Sequence, residues 1–493
     1  MKNSVIVILS AALAVSLAWN VMQRRSAEPA REPMPPAVEA VPVPEAPPAP
    51  PILPPPPPDP YAALKSAFDE AAADPALAGA AIGCCVIDSR GEVVLDRGAR
   101  TALIPASTFK TLTTATALEM LGPDFRFETA VGVTQTPVDG ILNGDIVIRG
   151  GGDPMLARSD LDQWAAELVK TGLKTVKGRV IGDGRLFRGS LFPDFWNWGD
   201  IGNGFGSPVS GLNCEHNRFA ARFQPGAAVG DPSKLDALSA QLPGIALHNE
   251  VVTGPADSGD GVMIHGGERA AVISFRGTVP LGGADFMVTG AITDPERFAA
   301  DHFRQALAAA GITVEGGAAA IADPLPEVTQ WLIRHPSPPL ADIVASIHAT
   351  SDNLETECVF RAIGLHAKKA PELAIREHWA ARGLDFTGLR MVDGSGLARA
   401  NHITPYDLAK IQFLAGKGPV GEIYRKSLTT NEPGTLRWKA GAMSAIRGYT
   451  GYAASGAGGE YCFALIVNHH ADRAAVDRLR DALWERLLDP EPR

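Results

Sequence analysis

Three short stretches carry residue types whose spacing can do acyl-transfer chemistry. The first is Ser107-Thr108-Phe109-Lys110, preceded by Pro105-Ala106 and continued by Thr111 to Leu118 in a run that reads as a helix. A serine and a lysine three positions apart on a helix share one face. A serine hydroxyl is a weak nucleophile until a base takes its proton. A lysine held close and partly desolvated has a lowered pKa and can be that base. The helix N-terminus adds a favourable dipole and free N–H groups for a developing oxyanion. Taken alone, Ser-x-x-Lys also occurs as an ordinary helix cap or a solvated pair.

The second stretch is Ser351-Asp352-Asn353, followed by the helix-like apolar run Leu354 to Ile363. A hydroxyl and a carboxamide two apart can reach one site from a loop between helices. The serine can relay a proton, and the asparagine offers a substrate amide both a donor and an acceptor; alone, the triplet reads as a helix cap. The third is Lys439-Ala440-Gly441, at the start of a β-like stretch reaching Gly451. A strand edge here presents a lysine charge and a backbone N–H to a bound peptide, and Gly441 lets the backbone come close. This triplet has almost no value by itself.

The order of the three carries more than any one of them. Ser-x-x-Lys, Ser-Asp-Asn and Lys-x-Gly follow the signature of penicillin-binding proteins and serine β-lactamases. The chain resembles the low-molecular-mass class C penicillin-binding proteins, the D-alanyl-D-alanine carboxypeptidases that also act as endopeptidases. The resemblance runs from about Ala80 to Val467. It includes the stretches Pro105 to Lys110, Gly150 to Pro154, Ser337 to Leu340, Ser351 to Leu354 and Asp393 to Leu397. The 244-residue gap from Ser107 to Ser351 is far longer than in β-lactamases, which lack the inserted domains.

The resemblance implies an α+β fold: an antiparallel sheet flanked by helices, a helical subdomain beside it, and mostly-β domains inserted between the first and second motifs. It also implies roles. Ser107 attacks the carbonyl between two D-alanines, with Lys110 as base. Ser351 passes a proton to the leaving D-alanine, Asn353 binds the substrate amide, and Lys439 contributes positive potential near the terminal carboxylate. The backbone N–H groups of Ser107 and Ala442 form the oxyanion hole. Asp200, in Trp198-Gly199-Asp200, sits at the cleft mouth and holds the ammonium of the stem peptide's diamino acid. The partners are peptidoglycan stem peptides, with β-lactams as covalent inhibitors, and neither metal nor organic cofactor is needed. The chain departs from the pattern at Lys439-Ala440-Gly441-Ala442, where the family has Lys-Thr-Gly-Thr or a close hydroxyl variant. Ser444 or Arg447 would then have to reach the carboxylate. Two other functions compete: a β-lactamase, and a weakly active or non-catalytic cell-wall scaffold, which the altered third motif favours.

Other residues were weighed against these. Gly394-Ser395-Gly396 lacks the Gly-x-Ser-x-Gly spacing of a nucleophile elbow and reads as a turn beside the site. Gly150-Gly151-Gly152-Asp153 has neither a dinucleotide nor a P-loop spacing. His469-His470 reads as a pair of surface histidines. The five cysteines form no Cys-x-x-Cys pair, which leaves a zinc site without support; buried thiols are the favoured reading. A disulfide stays open and its pairing cannot be assigned.

The elements that must position these groups come from both ends of the chain. Tyr61 to Ala73 has helical spacing. Ala80 to Asp88 and Glu92 to Asp96 flank Ser89-Arg90-Gly91 as a β-hairpin. Glu460 to Asn468 is a further strand, and Val476, Leu479, Leu483 and Leu487 recur at helical spacing. The middle is richer in glycine and short β-like runs, such as Gly144 to Ile148 and Val272 to Phe275. The expected organisation is a signal peptide or anchor over 1–25, a proline-rich linker over 26–60, a catalytic domain split between 61–125 and 325–493, and inserted domains over 126–324.

Of the 493 residues, 45% are apolar and 20% charged, with a net charge of −10. This is globular composition, and without clustered Lys and Arg a nucleic-acid partner is not expected. Lys2, the apolar run from Ser4 to about Met22, and Arg24-Arg25 read as an export signal. The run is near the roughly 20 residues needed to span a bilayer. The proline-rich stretch favours extended polyproline II. A stiff stalk suits an uncleaved inner-membrane tether with the folded part in the periplasm, although Ser16-Leu17-Ala18 offers a cleavage site. Oligomeric state is not legible.

Overall fold

Strands β1 (Ala81–Asp88) and β20 (Glu460–Asn468) lie side by side, antiparallel and in register from Ala81↔Asn468 to Asp88↔Tyr461. Their side chains alternate between two cores, as the two-residue period of a strand requires. Cys84, Val86, Phe463, Leu465 and Val467 pack with Leu64, Phe68, Val476, Leu479 and Leu483 of the helices Ala62–Ala72 and Arg473–Leu488. Cys85, Ile87, Cys462, Ala464 and Ile466 face the other way, towards Phe109, Leu112, Leu354 and Leu408. A sheet covered on both faces reads as an unbroken apolar run rather than an alternating one. This is why both segments stand out in the sequence.

The computed structural model describes residues 59–283, 285–320, 326–456 and 458–489. The expected anchor, and the linker up to residue 58, lie outside the described residues. None of the described helices is long and apolar enough to cross a membrane. The sheet built on β1 and β20 has six strands in the order β17-β18-β19-β20-β1-β2, with β2 Val93–Arg97, β17 Thr429–Thr430, β18 Leu436–Met443 and β19 Ile446–Ala454. Chain segments nearly 400 residues apart thus share one antiparallel sheet. Its two faces carry the terminal helices on one side and the motif-bearing helices Lys110–Met120, Leu340–Thr350, Asn353–Ala367 and Pro405–Lys417 on the other.

The intervening segment builds four more sheets around a separate core that includes Trp164, Phe219, Phe275 and Phe303. A five-stranded sheet runs β15 (Ala318–Ala320), β7 (Val180–Asp183), β5 (Ile146–Arg149), β3 (Glu128–Val133), β16 (Gln330–Pro336). The three-stranded sheets are β14 (Thr313–Val314), β6 (Thr175–Val176), β4 (Ile141–Leu142); β13 (Phe286–Ala291), β8 (Arg218–Gln224), β9 (Lys234–Leu238); and β10 (Ala246–Gly254), β12 (Val272–Pro280), β11 (Met263–His265). Two full helices, Arg158–Lys170 and Pro295–Ala309, pack among them. The second starts on Asp294, whose carboxylate accepts from Arg297 N–H, with Pro295 next. Acid cap and proline are both start signals.

Two local expectations change, and the reading of the cysteines as buried thiols holds. The stretch from Lys439 to Gly451 is a hairpin rather than one strand: β18 and β19 meet at Ser444-Ala445, where Ala445 has φ +59°. Lys439 therefore sits mid-strand. Of the two terminal histidines, His469 is exposed but His470 is buried, with both ring nitrogens unpartnered, and burial pushes its pKa down. All five cysteines are buried free thiols, and burial pushes Cys85 up to about 12.

Candidate active site

Ser107 lies in a 3-10 turn, Ala106–Phe109, that leads into the helix Lys110–Met120. This corrects the sequence expectation of an α-helical serine, but the consequence for chemistry is the same, because side chains three apart eclipse on a 3-10 turn. Lys110 Nζ stands 3.0 Å from Ser107 Oγ. From Pro105 to Leu118, Ser107 is the one residue that is not buried. The turn opens on Ala106 at φ +48°, a left-handed conformation that a non-glycine residue keeps only when its surroundings over-determine it. Gly396 supplies part of that constraint: a Cβ there would lie 2.1 Å from the Ala106 carbonyl oxygen.

Lys110 is fully buried and has three polar neighbours. Its ammonium donates to Asn353 Oδ1 at 2.6 Å and to the Ser395 carbonyl at 2.8 Å, with Ser107 Oγ third. The first two can only accept. A neutral Lys110 therefore spends its two N–H bonds on them, and its lone pair is left facing Ser107. Burial lowers its pKa to about 8, against the opposing charges of Asp393, Glu357, Asp352 and Glu355. Ser395, weighed above as a turn residue, is fully buried and acts through its carbonyl.

The second motif is a helix-to-helix junction. Ser351 ends Leu340–Thr350 in the left-handed region at φ +61°. Asp352 caps the next helix, Asn353–Ala367, by accepting from Glu355 N–H at 2.9 Å. The capping and the site readings of this triplet therefore both hold. The Asn353 carboxamide is largely committed: Oδ1 to Lys110, and one N–H to the Phe205 carbonyl at 2.8 Å, on a 3-10 turn of the inserted region. Its second N–H is what it can offer a substrate. The inserted region also clamps this junction with charge. Arg218 pairs with Asp352 at 2.7 Å, and His216 bonds Glu355 at 3.0 Å, which raises the histidine's pKa. His216, Asp352 and Glu355 bring ligand-type atoms within 4.8 Å of one another, but these contacts already balance two basic groups against two acids.

The third motif closes the site from β18. Lys439 is 3% exposed, and its ammonium donates to Ser351 Oγ at 2.9 Å. Burial and the nearby Lys110 charge lower its pKa to about 7. Gly441 is needed for the approach: a Cβ there would sit 2.8 Å from Pro105 O, Ser107 N and Thr108 N. Its ladder partner is Gly448, where a Cβ would meet Thr108 at 3.0 Å. Ala440 and Ala442 are exposed. Because β17 pairs only with Arg437 and Trp438, the outer edge of β18 from Lys439 onwards is open, which is the arrangement that accepts an extended peptide as an added strand.

Asp200 is half-buried, its pKa raised by burial and opposed by the Arg399 charge. Trp196 is buried against Phe192, whereas Trp198 is 69% exposed and stacks on His265. Arg447 does not extend along the strand: one of its amino groups donates to the carbonyls of Met443 and Ile446 at the hairpin turn. Arg399, which donates to the Ser444 carbonyl, Phe205, Gly448, Glu357 and Asp393 all belong to the site or its supports, and none was assigned a role from sequence. Asp393, Glu357 and Gly448 stood in quoted stretches, but without a role. Behind the lysines, His348 is held neutral by burial and by both lysine charges, with its pKa near 3.

Comparison with known proteins gives the family and the fold. The D-Ala-D-Ala carboxypeptidase 3 (S13) family matches residues 64–487. A D-alanyl-D-alanine carboxypeptidase of Actinomadura sp. is 30% identical over 461 residues, covering 86% of this chain and 84% of its own. The D-alanyl-D-alanine carboxypeptidase DacB of Haemophilus influenzae is 27% identical over 369 residues, 72% of this chain and 75% of its own. The crystal structure of penicillin binding protein 4 (dacB) from Haemophilus influenzae superposes with a TM-score of 0.76 at 22% identity, covering 86% of this chain and 99% of that one. A structure of the same protein complexed with a β-lactam gives 0.72.

Proposed function

The chain belongs to the D-Ala-D-Ala carboxypeptidase 3 (S13) family and is a serine-type D-alanyl-D-alanine carboxypeptidase/endopeptidase; from that premise we propose that it acts through an ester on Ser107, with Lys110 as base. The lone pair of neutral Lys110, directed at Ser107 by two carbonyl-type acceptors, is the observation that carries this reading. Neither the β-lactamase nor the scaffold alternative is favoured by the relatives.

In the proposed cycle a stem peptide lies along the open edge of β18. Ser107 Oγ attacks the carbonyl carbon between the two D-alanines as its proton passes to Lys110. The N–H groups of Ser107 and Ala442 hold the developing oxyanion. When the C–N bond breaks, the proton that Lys110 gained is relayed through Ser351, whose hydroxyl Lys439 holds, to the leaving amine, which returns Lys110 to its neutral form. An ester on Ser107 and free D-alanine result. Water then attacks the ester, losing its proton to Lys110, and the serine is restored. β-Lactams enter the same first step and remain as the ester.

The third motif tempers the rate. Ala440 and Ala442 have no hydroxyl for the substrate's terminal carboxylate, and a hydrogen bond to a charged group is worth about 1.5–3 kcal/mol. That is about one to two powers of ten in rate. Ala440→Thr with Ala442→Thr is expected to raise kcat/KM on D-alanyl-D-alanine peptides by that factor. A parent as fast as the variant would mean that another group already holds the carboxylate, with Arg399, bonded to the Ser444 carbonyl, the next to test.

The basic, apolar and proline-rich N-terminal segments support a further proposal: export, with the folded part held at the inner membrane on the periplasmic side. Cell fractionation is expected to place the full-length chain in the membrane pellet. A soluble periplasmic chain starting near Trp19 would dispose of the tether, and a cytoplasmic one of export itself.

A further inference from the structure

We propose that the buried carboxylates of Glu357 and Asp393 form a positioning device for the acylation base: together they hold the loop Asp393–Gly396 so that the Ser395 carbonyl meets Lys110, and they supply the negative charge against which Lys110 works. The inference rests on Lys110 being the base. Glu357 is 1% exposed and Asp393 is fully buried.

The loop is held from both sides. Glu357 accepts from the backbone N–H of Gly394 at 3.0 Å and of Ser395 at 2.8 Å. Asp393 accepts from Gly396 N–H at 2.8 Å, Ala398 N–H at 2.7 Å, Asn401 Nδ2 at 2.7 Å and Trp196 Nε1 at 2.9 Å. Thr113 Oγ donates to the Gly394 carbonyl at 2.7 Å. With its N–H groups so anchored, the loop turns the Ser395 carbonyl onto Lys110 Nζ. The fit leaves no slack: a Cβ on Gly394 would meet the Phe360 side chain at 2.5 Å, and one on Gly396 would meet the Ala106 carbonyl beside the nucleophile. The Trp196 bond draws the inserted region into the device.

Among the described residues, every hydrogen-bond partner of these two carboxylates is a donor, which suits an ionised acceptor and not a carboxylic acid. Four donors fix Asp393 as the ionised member. Glu357 is the weaker acid: burial and the Asp393 charge raise its pKa to about 7, while Arg361 opposes. The charged and titratable groups facing Lys110 are Asp393, Glu357, Asp352 and Glu355 on the acidic side, with Lys439 and neutral His348 against them. Burial alone would strip Lys110 of its proton at lower pH. The carboxylates hold its pKa near 8, where the conjugate ammonium is still a competent proton carrier.

The test is the pH profile of penicillin acylation by the folded chain. Glu357→Gln keeps an acceptor for the loop and removes the charge. Its acidic limb is expected to move to lower pH by on the order of one unit, with an unchanged melting temperature. Glu357→Asp keeps the charge on a shorter arm and is expected to lower the plateau rate while leaving the limb in place. Asp393→Asn, which removes the other negative charge beside Lys110, is expected to move the limb the same way and serves if Glu357→Gln does not fold. An acidic limb unmoved in a folded Glu357→Gln or Asp393→Asn protein overturns the proposal. Failure of the underlying reading looks different: Lys110→Met would then still acylate at the parental rate.

Discussion

Ser107→Ala is expected to lower D-alanyl-D-alanine carboxypeptidase activity by about six powers of ten, the scale seen when an enzyme loses its serine nucleophile. No second hydroxyl can substitute. Thr108 Oγ is buried and donates to the Pro105 carbonyl at 2.7 Å. Thr111 Oγ donates to the Thr108 carbonyl. Ser395 is fully buried. Ser351 is the nearest alternative, but its hydroxyl is bonded to Lys439 and lies across the cleft on another helix junction. The fold should not suffer, because Ser107 is the one member of its turn that is not buried and alanine keeps the Cβ. Steady-state release of D-alanine, measured beside a melting curve, checks both halves. Residual activity within a hundredfold of the parent at an equal melting temperature would remove Ser107 from the reaction.

Lys110→Met is expected to cost about two to four powers of ten in acylation rate, the usual worth of a general base. Methionine keeps most of the unbranched stem in the buried channel. The variant leaves Asn353 Oδ1 and the Ser395 carbonyl without a donor, each at about 1–3 kcal/mol, but it also relieves the desolvated charge of the ammonium. The melting temperature should therefore change less than the rate. The parent's pH profile is part of the same expectation. With the Lys110 pKa near 8, the acylation rate falls as pH drops through 8, because the protonated amine has no lone pair for the serine proton. Protonation of Lys439, near 7, crowds a second charge onto the first and comes at lower pH. A rate that rose on acidification would contradict the assignment of Lys110.

The side chains that converge on the candidate site were legible because each motif is local. Ser107 and Lys110 share a turn, Ser351 to Asn353 is a helix junction with its own capping acid, and Lys439 to Gly441 needs only a strand and a glycine. Strands β1 and β20 were legible because burial on both faces leaves an unbroken apolar run. What could not be read is made of backbone. The carbonyls of Ser395 and Phe205 complete the Lys110 and Asn353 contacts, and a carbonyl has no residue signature. Glu357 was hidden for another reason: nothing local separates an acid turned into the core from one turned towards water, and on this helix Glu355 and Glu357 are both buried. His470 misled in the same way, since a polar pair after a strand ordinarily faces solvent. The hairpin turn at Ser444-Ala445 lacks the glycine or asparagine that a positive φ favours, so β18 and β19 read as one strand.

The account stands or falls on the atom that carries the acyl group. Incubating the chain with penicillin, then digesting it and mapping the adduct by mass spectrometry, is expected to place one penicilloyl group on the peptide containing Ser107 and none on that peptide in the Ser107→Ala protein. An adduct on the peptide holding Ser351 or Ser395, or stoichiometric labelling that survives Ser107→Ala, would contradict it.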